Sequence, residues 1–398
     1  MWQKIKNIYH LFQAVFSNIL FLFPAHRLKV IGVTGTDGKT TTVSLIAHIL
    51  KEAGHKTSFV TSIEASIGNK KFDTGFHVTT PRFFSIQKIL RKAVSAGSEF
   101  FVLEVTSHAI DQNRVWGIPF RVSVLTNITN EHLDYHKTYD NYLKTKEKLL
   151  KWGKTAIVNK DDASYTLLSE AMNKKSKENW ITYGLSDSAE VNIGNFKFDT
   201  NLLGDFNKYN ILAASACCQV LGISDDQIKK AIKTFKEPKG RLDFVYDKGF
   251  YVMIDFAHTP SAFESILSSL RPLFRGRIIH VFGSAGGRDH TKRPFMGEIS
   301  SKFSDVVILT AEDPRHEKVE KINEEIESGI KKKDATVIKI ASRREAIEAA
   351  IQMAGEGDLV LITGKAHEKS MSFGSKEEPW DEYKEVSDAI SEKEKNAV

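Results

Sequence analysis

Along residues 8–23 apolar side chains recur every three or four positions. Ile8, Leu11, Phe12, Val15, Phe16, Ile19, Leu20 and Phe23 mark one side of a helix. His10, Gln13, Ser17 and Asn18 interrupt the apolar character, and a spanning helix would need about 20 largely apolar residues. The stretch therefore predicts an amphipathic helix that either packs on the next domain or rests on a membrane surface. After Pro24 the pattern changes. The runs 28–33, 101–106 and 121–128 are apolar throughout, as buried parallel strands are, and helical stretches separate them. Further helices are predicted at 138–151, 207–221 and 225–236. Glu237-Pro238-Lys239-Gly240 breaks the series. A second one follows, with strands at 251–256, 277–283, 305–310, 336–340 and 358–363. The expectation is a helix over 1–27, a doubly wound α/β domain over 28–239, and a smaller Rossmann-like α/β domain over 240–398.

Composition adds boundaries rather than identity. The 398 residues are 41% hydrophobic and 27% charged, which suits two or three domains with real cores. A net charge of +6 is too mild at this length to argue for nucleic acid, and it suits phosphates or a carboxylate-rich substrate. Cys217 and Cys218 are adjacent in a predicted helix, where they make no useful staple, so a reducing compartment is the natural reading. There is no internal repeat, and the Lys/Glu-rich tail after Asp381 reads as a fraying helix.

The chemistry begins where the strand 28–33 runs into Thr34-Gly35-Thr36-Asp37-Gly38-Lys39-Thr40-Thr41 and a helix follows. Glycines let backbone N–H groups converge on an anion at the helix start. Lys39 supplies a point charge for phosphates, and the Thr40 hydroxyl suits Mg²⁺. Five residues separate Gly32 from Gly38, one more than the standard phosphate loop allows. Lys4 and Lys6 before the apolar stretch would fit an export signal, but export would separate such a chain from its ATP. A cytoplasmic chain, with peripheral membrane contact through residues 8–23 as the rival to domain packing, is the expectation.

TGTDGKTTT resembles the Mur ligase version of this loop. Other segments support the resemblance in the family's order from residue 28 to about 370. TTP (79–81), EVTSHAI (104–110), TNITNEHLDYH (126–136) and YLKTK (142–146) are similar to the MurE branch. So are GDFNKYN (204–210), GR (240–241), DFAHTP (255–260), GGRDHTKRPFMG (286–297), EDPRHE (312–317) and GKAHE (364–368). The resemblance implies an ATP-dependent, ADP-forming ligase that joins an amino acid to the carboxylate of a peptidoglycan-type precursor through an acyl phosphate. It implies that Gly35 to Thr41 bind ATP, with Asn207 and Asn210 near the adenine and Arg241 and Asp255 at the ribose. His258, Arg288 and Lys292 would approach the phosphates. An ATP site drawn from two domains would close on binding and exclude water from the acyl phosphate. Two Mg²⁺ ions are implied, held among Thr40, Glu104, His132 and a CO₂-derived carbamate on Lys146. Without the resemblance, His132 reads as structural and Lys146 as a lysine on a solvated face. Lys39, Glu104, His132, Lys146 and His258 are the implied catalytic set.

For substrates, the resemblance implies that Thr79, Thr80, Thr106, Ser107 and Arg114 hold the peptidyl precursor. Asp313, Arg315, Gly364 and Glu368 would hold the free amino acid. Arg315 can grip a carboxylate in bidentate fashion, although it could also be spent on Glu312 or Glu317. Asp313 and Glu368 could hold an amino group, which favours a diamino acid, meso-diaminopimelate ahead of lysine. Three residues depart from the family pattern: Glu131 and Gly287 replace acids of other size or kind, and Ala366 replaces a glycine. Only residues 1–27 precede the ATPase core, where MurE-type enzymes usually carry a further domain, so weak or absent recognition of a UDP carrier is expected, and a monomer. Two readings compete: a related ligase on a polyamino-acid, folate-like or lipid-linked acceptor, and a non-catalytic nucleotide-binding scaffold.

Overall fold

The computed structural model describes residues 2–68, 70–72, 79–129, 131–171, 179–331 and 335–396. The chain divides into two compact units, Met1–Leu202 with Phe206–Lys236, and Leu203–Asp205 with Glu237–Val398. The first is built on nine strands: β1 Lys29–Thr34, β2 Thr57–Val60, β3 Ala65–Ile67, β4 Lys70–Phe72, β5 Phe100–Glu104, β6 Phe120–Leu125, β7 Thr155–Asn159, β8 Trp180–Gly184 and β9 Val191–Asn192. They lie in the order β4-β3-β2-β5-β1-β6-β7-β8-β9, parallel except where β3 meets β2 and β4. β1 is central because it is apolar on both faces, and the helices Lys39–Glu52 and Asp205–Val220 contribute to the core beside it. Cys217 and Cys218 sit in that core as free thiols, their pKa pushed up by burial.

Register places the exits of three strands side by side. Val33 of β1 pairs with Glu104 of β5, and Thr34 with Leu125 of β6. The loops that leave at 35–38, 105–106 and 126–129 therefore converge on the carboxyl edge of the sheet, where α/β folds place their ligands.

The second unit has six strands, β10 Asp243–Tyr246, β11 Tyr251–Asp255, β12 Ile278–Phe282, β13 Val306–Leu309, β14 Thr336–Lys339 and β15 Leu359–Thr363. Their order is β10-β11-β15-β12-β13-β14, and only β10 is antiparallel. The strand latest in sequence, β15, lies between β11 and β12; Asp255 at the end of β11 and Gly283, Glu312 and Gly364 just past β12, β13 and β15 line one edge. A short hairpin follows, β16 Ser370–Phe373 and β17 Lys376–Pro379. The strands not anticipated from periodicity include β3, β4, β9, β10 and this hairpin, all of two to four residues, too short to display a period.

The amino-terminal helix, Trp2–Leu20, forms, but its orientation reverses the simple expectation of domain packing. Ala14, Ser17 and Asn18 are buried, while Phe12 is 70% exposed and Ile8, Phe16, Ile19 and Leu20 more than half exposed. The Asn18 amide donates to the carbonyl of Trp116 at 3.0 Å, and Asn7 donates to Asp111 at 3.1 Å. Hydrogen bonds, rather than the apolar stripe, hold the helix to the domain.

One buried ion pair ties the carboxyl-terminal helix, Glu382–Asn396, to the second unit. Arg343 and Glu382 are both inaccessible to water, with Arg343 Nε donating to Glu382 Oε2 at 2.9 Å. Arg343 also donates to Thr363 O at 2.8 Å, and Trp380 Nε1 donates to Glu382 at 2.8 Å. Removing one partner leaves the other charge buried without compensation. Glu382→Ala is expected to lower stability by about 3–5 kcal/mol. Chemical denaturation of the full chain checks this, and Arg343→Met combined with Glu382→Leu should recover much of the loss.

Candidate active site

Two glycines set the shape of the phosphate loop. Gly38, at φ 79°, starts the helix Lys39–Glu52, and a Cβ there would lie 2.3 Å from Asn210 Oδ1. A Cβ at Gly35 would lie 1.7 Å from Thr126 Oγ1. The loop backbone is thus held against its neighbours closer than any side chain permits. The loop after β6 fixes it: Thr126 Oγ1 and Asn127 Nδ2 donate to Asp37 O at 2.6 and 3.1 Å, and Asp37 N donates to Asn127 Oδ1 at 2.9 Å. Thr36 hydrogen-bonds to the Tyr142 hydroxyl at 3.2 Å and accepts from Thr129 N at 3.0 Å. Lys39 folds its ammonium back onto Thr36 O at 2.6 Å and pairs with no carboxylate among the described residues.

Glu104, buried at the end of β5, accepts from Thr40 Oγ1 and from Ser62 N, each at 2.9 Å. A hydroxyl and a carboxylate therefore meet at the helix start, a hard oxygen pair of the kind Mg²⁺ prefers. Among the described residues no three His, Cys, Asp or Glu side chains converge as a ready metal cage. Any cation here draws further ligands from phosphate or water.

Lys146 lies in the helix Tyr139–Trp152, 1% exposed, with its ammonium 2.7 Å from Gly35 O and 4.5 Å from the centre of the Tyr142 ring. It is not a lysine on a solvated face. Burial drives its pKa well below the ordinary lysine value, Lys39 adds to that, and Glu131 and Asp37 only partly oppose it. His132, at φ 56°, stands 6.0 Å from Tyr142 between ring centres, with Nε2 3.7 Å from Glu131. Desolvation holds its pKa below the ordinary imidazole range, and Glu131 pulls the other way. About a third of the side chain still reaches water, so the protein around it weakens the charge rather than forbidding it.

A polar chain runs from this cluster to the expected precursor residues. Thr80 Oγ1 donates to Glu104 O at 2.9 Å and accepts from Thr106 N at 3.0 Å. Arg114 donates to Thr80 O at 2.9 Å, and desolvation leads the causes that lower its pKa. The Thr106 side chain caps the short helix Ser107–Asp111, and Ser107 meets His136 at 3.0 Å. Thr41 is buried and Thr79 is half-buried. Asn207 and Asn210 pair side chain to side chain at 3.0 Å, and Thr42 donates to Asn210 at 3.3 Å.

In the second unit, Asp255 ends β11 and accepts from Leu242 N at 2.7 Å and Ala257 N at 2.6 Å. Desolvation raises its pKa, and Arg241 opposes this. Arg241 lies 4.9 Å over the Phe256 ring. Lys292 donates to His258 O at 2.6 Å, and Arg288 is exposed on the loop before it. Gly287 has φ 63° and Ala366 φ 41°. Glycine at 287 removes strain that a side chain would meet, whereas alanine at 366 accepts it.

Asp313 and Glu368, expected to hold an amino group, meet one from the chain itself. The buried ammonium of Lys365 sits between them, 2.8 Å from Asp313 Oδ1 and 2.5 Å from Glu368 Oε2. Burial would strip its proton, but Glu368 and Asp313 outweigh that and raise its pKa. The two carboxylates already serve a cation of the chain itself. The carboxyl group without a partner is Glu312: its Oε2 is buried and lacks a hydrogen bond among the described residues. Gly364, at φ 106°, makes room for it, since a Cβ there would lie 2.3 Å from Glu312 Oε2. Burial pushes the Glu312 pKa up to about 7 against the pull of His258, Lys292, Arg343 and Lys365. Arg315 is spent on neither Glu312 nor Glu317: its Nη1 donates to Gly286 O at 2.7 Å, while Glu317 pairs with Arg293 at 2.9 Å. Both Asp313 and Arg315 hold positive φ, 45° and 51°, backbone strain of the sort that gathers at ligand sites. Sequence reasoning missed Thr126, Asn127, Tyr142, Glu312 and Lys365. A signal existed for several of them: they are polar groups just past buried strands, where the carboxyl edge must lie.

Comparison with known proteins adds kinship to this geometry. Residues 33–218 match the model of the Mur ligase middle domain, and 240–366 match that of the Mur ligase glutamate ligase domain. The UDP-N-acetylmuramoyl-L-alanyl-D-glutamate–2,6-diaminopimelate ligase of Aquifex aeolicus is 42% identical over 365 residues, covering 87% of this chain and 74% of the relative. Ligase 1 of that name from Clostridium acetobutylicum is 37% identical, covering 93% and 79%. A solved structure of a ligase so named aligns at 29% identity with a TM-score of 0.62, covering 92% of this chain and 79% of the other.

Glu312 yields a pH prediction. Its ordinary pKa is 4.5 and its folded pKa about 7. Between those values the folded chain holds a proton that the unfolded chain has released. Stability therefore falls as pH rises through this window, and the full penalty stands above it. At about 1.4 kcal/mol per pH unit the penalty reaches up to about 3 kcal/mol. Glu312→Gln should unfold at higher temperature than the parent at pH 8 and close to it at pH 4.5, as calorimetry would show.

Proposed function

The chain belongs to the Mur ligase family, and from that premise we propose that it is an ATP-dependent, ADP-forming ligase adding a diamino acid to the carboxylate of a peptidoglycan-type peptide precursor. The observation that carries this reading is the convergence of the Gly35–Gly38 cradle, the Thr40–Glu104 pair and the buried Lys146 on one sheet edge. The precursor carboxylate attacks the γ-phosphorus of ATP and ADP departs. The amine then attacks the acyl phosphate carbon and phosphate departs. Such transfers need positioning and charge neutralisation more than covalent participation by the protein. Loop N–H groups and Lys39 receive phosphate oxygens, and Lys39 has no carboxylate partner among the described residues. Arg114, Thr80 and Thr106 orient the precursor.

The Thr40 hydroxyl and Glu104 carboxylate would suit one Mg²⁺, and the His132 imidazole with an oxygen-bearing Lys146 would suit a second; such ions would neutralise phosphate charge. Lys146 suits this only as a carbamate. Its depressed pKa favours the neutral amine, the form that adds to CO₂ and releases a proton. For the incoming amino acid, Arg315 offers donors beyond the one given to Gly286 O, and Glu312 offers an Oε2 that has no hydrogen bond among the described residues. That combination favours meso-diaminopimelate over a neutral amino acid.

An ADP-release assay of candidate precursors against a panel of amino acids tests the reading. ADP should appear only when both substrates are present, and fastest with a diamino acid; faster turnover with alanine or glutamate would overturn the substrate assignment. Arg315→Ala should raise KM for the amino acid by the equivalent of about 1.5–3 kcal/mol, with ATP affinity almost unchanged. For the carbamate, Lys146→Ala should abolish turnover and small carboxylates should restore part of it. An intact-mass measurement at high CO₂ and neutral pH should find one CO₂ on the parent and none on Lys146→Ala.

A further inference from the structure

We propose that the amino-terminal helix and the neighbouring helix Phe83–Ser95 form a docking surface for a bilayer rich in anionic phospholipid. The first observation is the inverted orientation described above. The side of Trp2–Leu20 turned to the domain carries Ala14, Ser17 and Asn18, pinned by the Asn7 and Asn18 hydrogen bonds. The side turned to water carries Ile8 (57% exposed), Phe12 (70%), Phe16 (59%), Ile19 (56%) and Leu20 (55%). A helix whose role was to complete the core would bury Phe12 and expose Asn18, because each buried aromatic is worth far more in water removed than an amide. The apolar stripe continues onto the next helix. Phe84, 42% exposed, meets Phe16 edge-on at 6.1 Å between ring centres. Leu22 extends the stripe at one end, 70% exposed.

The second observation, charge, selects the occupant. Residues 1–29 and 79–98 contain eight Lys or Arg and no Asp or Glu, in a chain with 50 Asp and Glu over 398 positions. Lys6, Arg27, Arg82, Lys88, Arg91 and Lys92 are all exposed. A second copy of the chain would present the same predominantly basic face across a twofold axis, so like charges would meet. An anionic bilayer satisfies both halves of the pattern: apolar side chains enter the headgroup boundary, and the flanking cations meet lipid phosphates. No helix among the described residues is long and apolar enough to cross a membrane, so the contact is one of resting on the surface. The turn that anchors the helix, through Asp111, Asn113 and Trp116, also carries Arg114. Docking therefore brings the expected precursor residues close to the lipid.

Sedimentation of the full chain with vesicles tests the proposal. Vesicles of phosphatidylcholine mixed with phosphatidylglycerol should bind at least about tenfold more tightly than phosphatidylcholine alone, and the gap should shrink as salt rises toward about 0.5 M. Phe12→Glu with Phe16→Glu should reduce binding to the anionic vesicles by at least about tenfold while leaving ATP turnover in vesicle-free solution unchanged. Lys88→Glu with Arg91→Glu alters charge only, and should weaken anionic binding without touching the amino-terminal helix. Equal binding of parent and Phe12/Phe16 variant overturns the proposal. So does absence of binding by the parent, or a parent dimer that the Phe12/Phe16 variant converts to monomer without any affinity for vesicles.

Discussion

Three parallel strands that end at one level leave a ring of backbone groups that no strand can satisfy, and the loops leaving β1, β5 and β6 answer by bonding to one another. Asp37 O takes two donors from the loop after β6, Ser62 N and Thr40 share Glu104, and Thr80 links Glu104 to Thr106. Buried polar groups must find partners, and here the partners are the residues expected to meet phosphate and precursor. The site is preorganised because the fold's own hydrogen-bonding requirement holds it, and Gly35 and Gly38 are glycines because the loops approach too closely for a Cβ.

Placing cations in such an edge has consequences that differ with their partners. Lys365 is buried between two carboxylates and keeps its charge, so it builds structure. Lys146 is buried with a carbonyl oxygen and an aromatic ring for company, so it is driven toward the neutral amine. The same side chain thus keeps its charge in one unit and is pushed toward neutrality in the other. Glu312 is the acidic counterpart of Lys146, its Oε2 left without a hydrogen bond among the described residues, in surroundings that favour its protonated form. Groups kept at such a cost to folding are characteristic of sites retained for a ligand.

The amino-terminal helix shows how far a periodic pattern can mislead about direction. The spacing of Ile8, Phe12, Phe16 and Ile19 correctly predicts a one-sided helix, but a stripe of apolar residues does not say whether the core or another phase receives it. The deciding groups are polar. Asn7 and Asn18 have hydrogen-bonding partners on the domain side, and the apolar side is left to water.

The order of elements, the α/β class and the phosphate loop were legible from sequence, because hydrophobic period and glycine placement act over a few residues and leave a local trace. The role implied for Lys146 came from family resemblance alone, since its helix reads as solvated. Only the tertiary structure shows it buried, by bringing Gly35 and Tyr142 against it from more than a hundred and from four positions away. Likewise, nothing local in Glu312-Asp313-Pro314-Arg315 tells which acid is spent. That depends on Lys365, fifty-two positions on from Asp313, and on the space left by Gly364. Long-range burial and pairing, which govern charge state and free valence, are properties of the packed chain; its one-dimensional pattern specifies which segments pack, and the contacts between them decide what each charged group can still do.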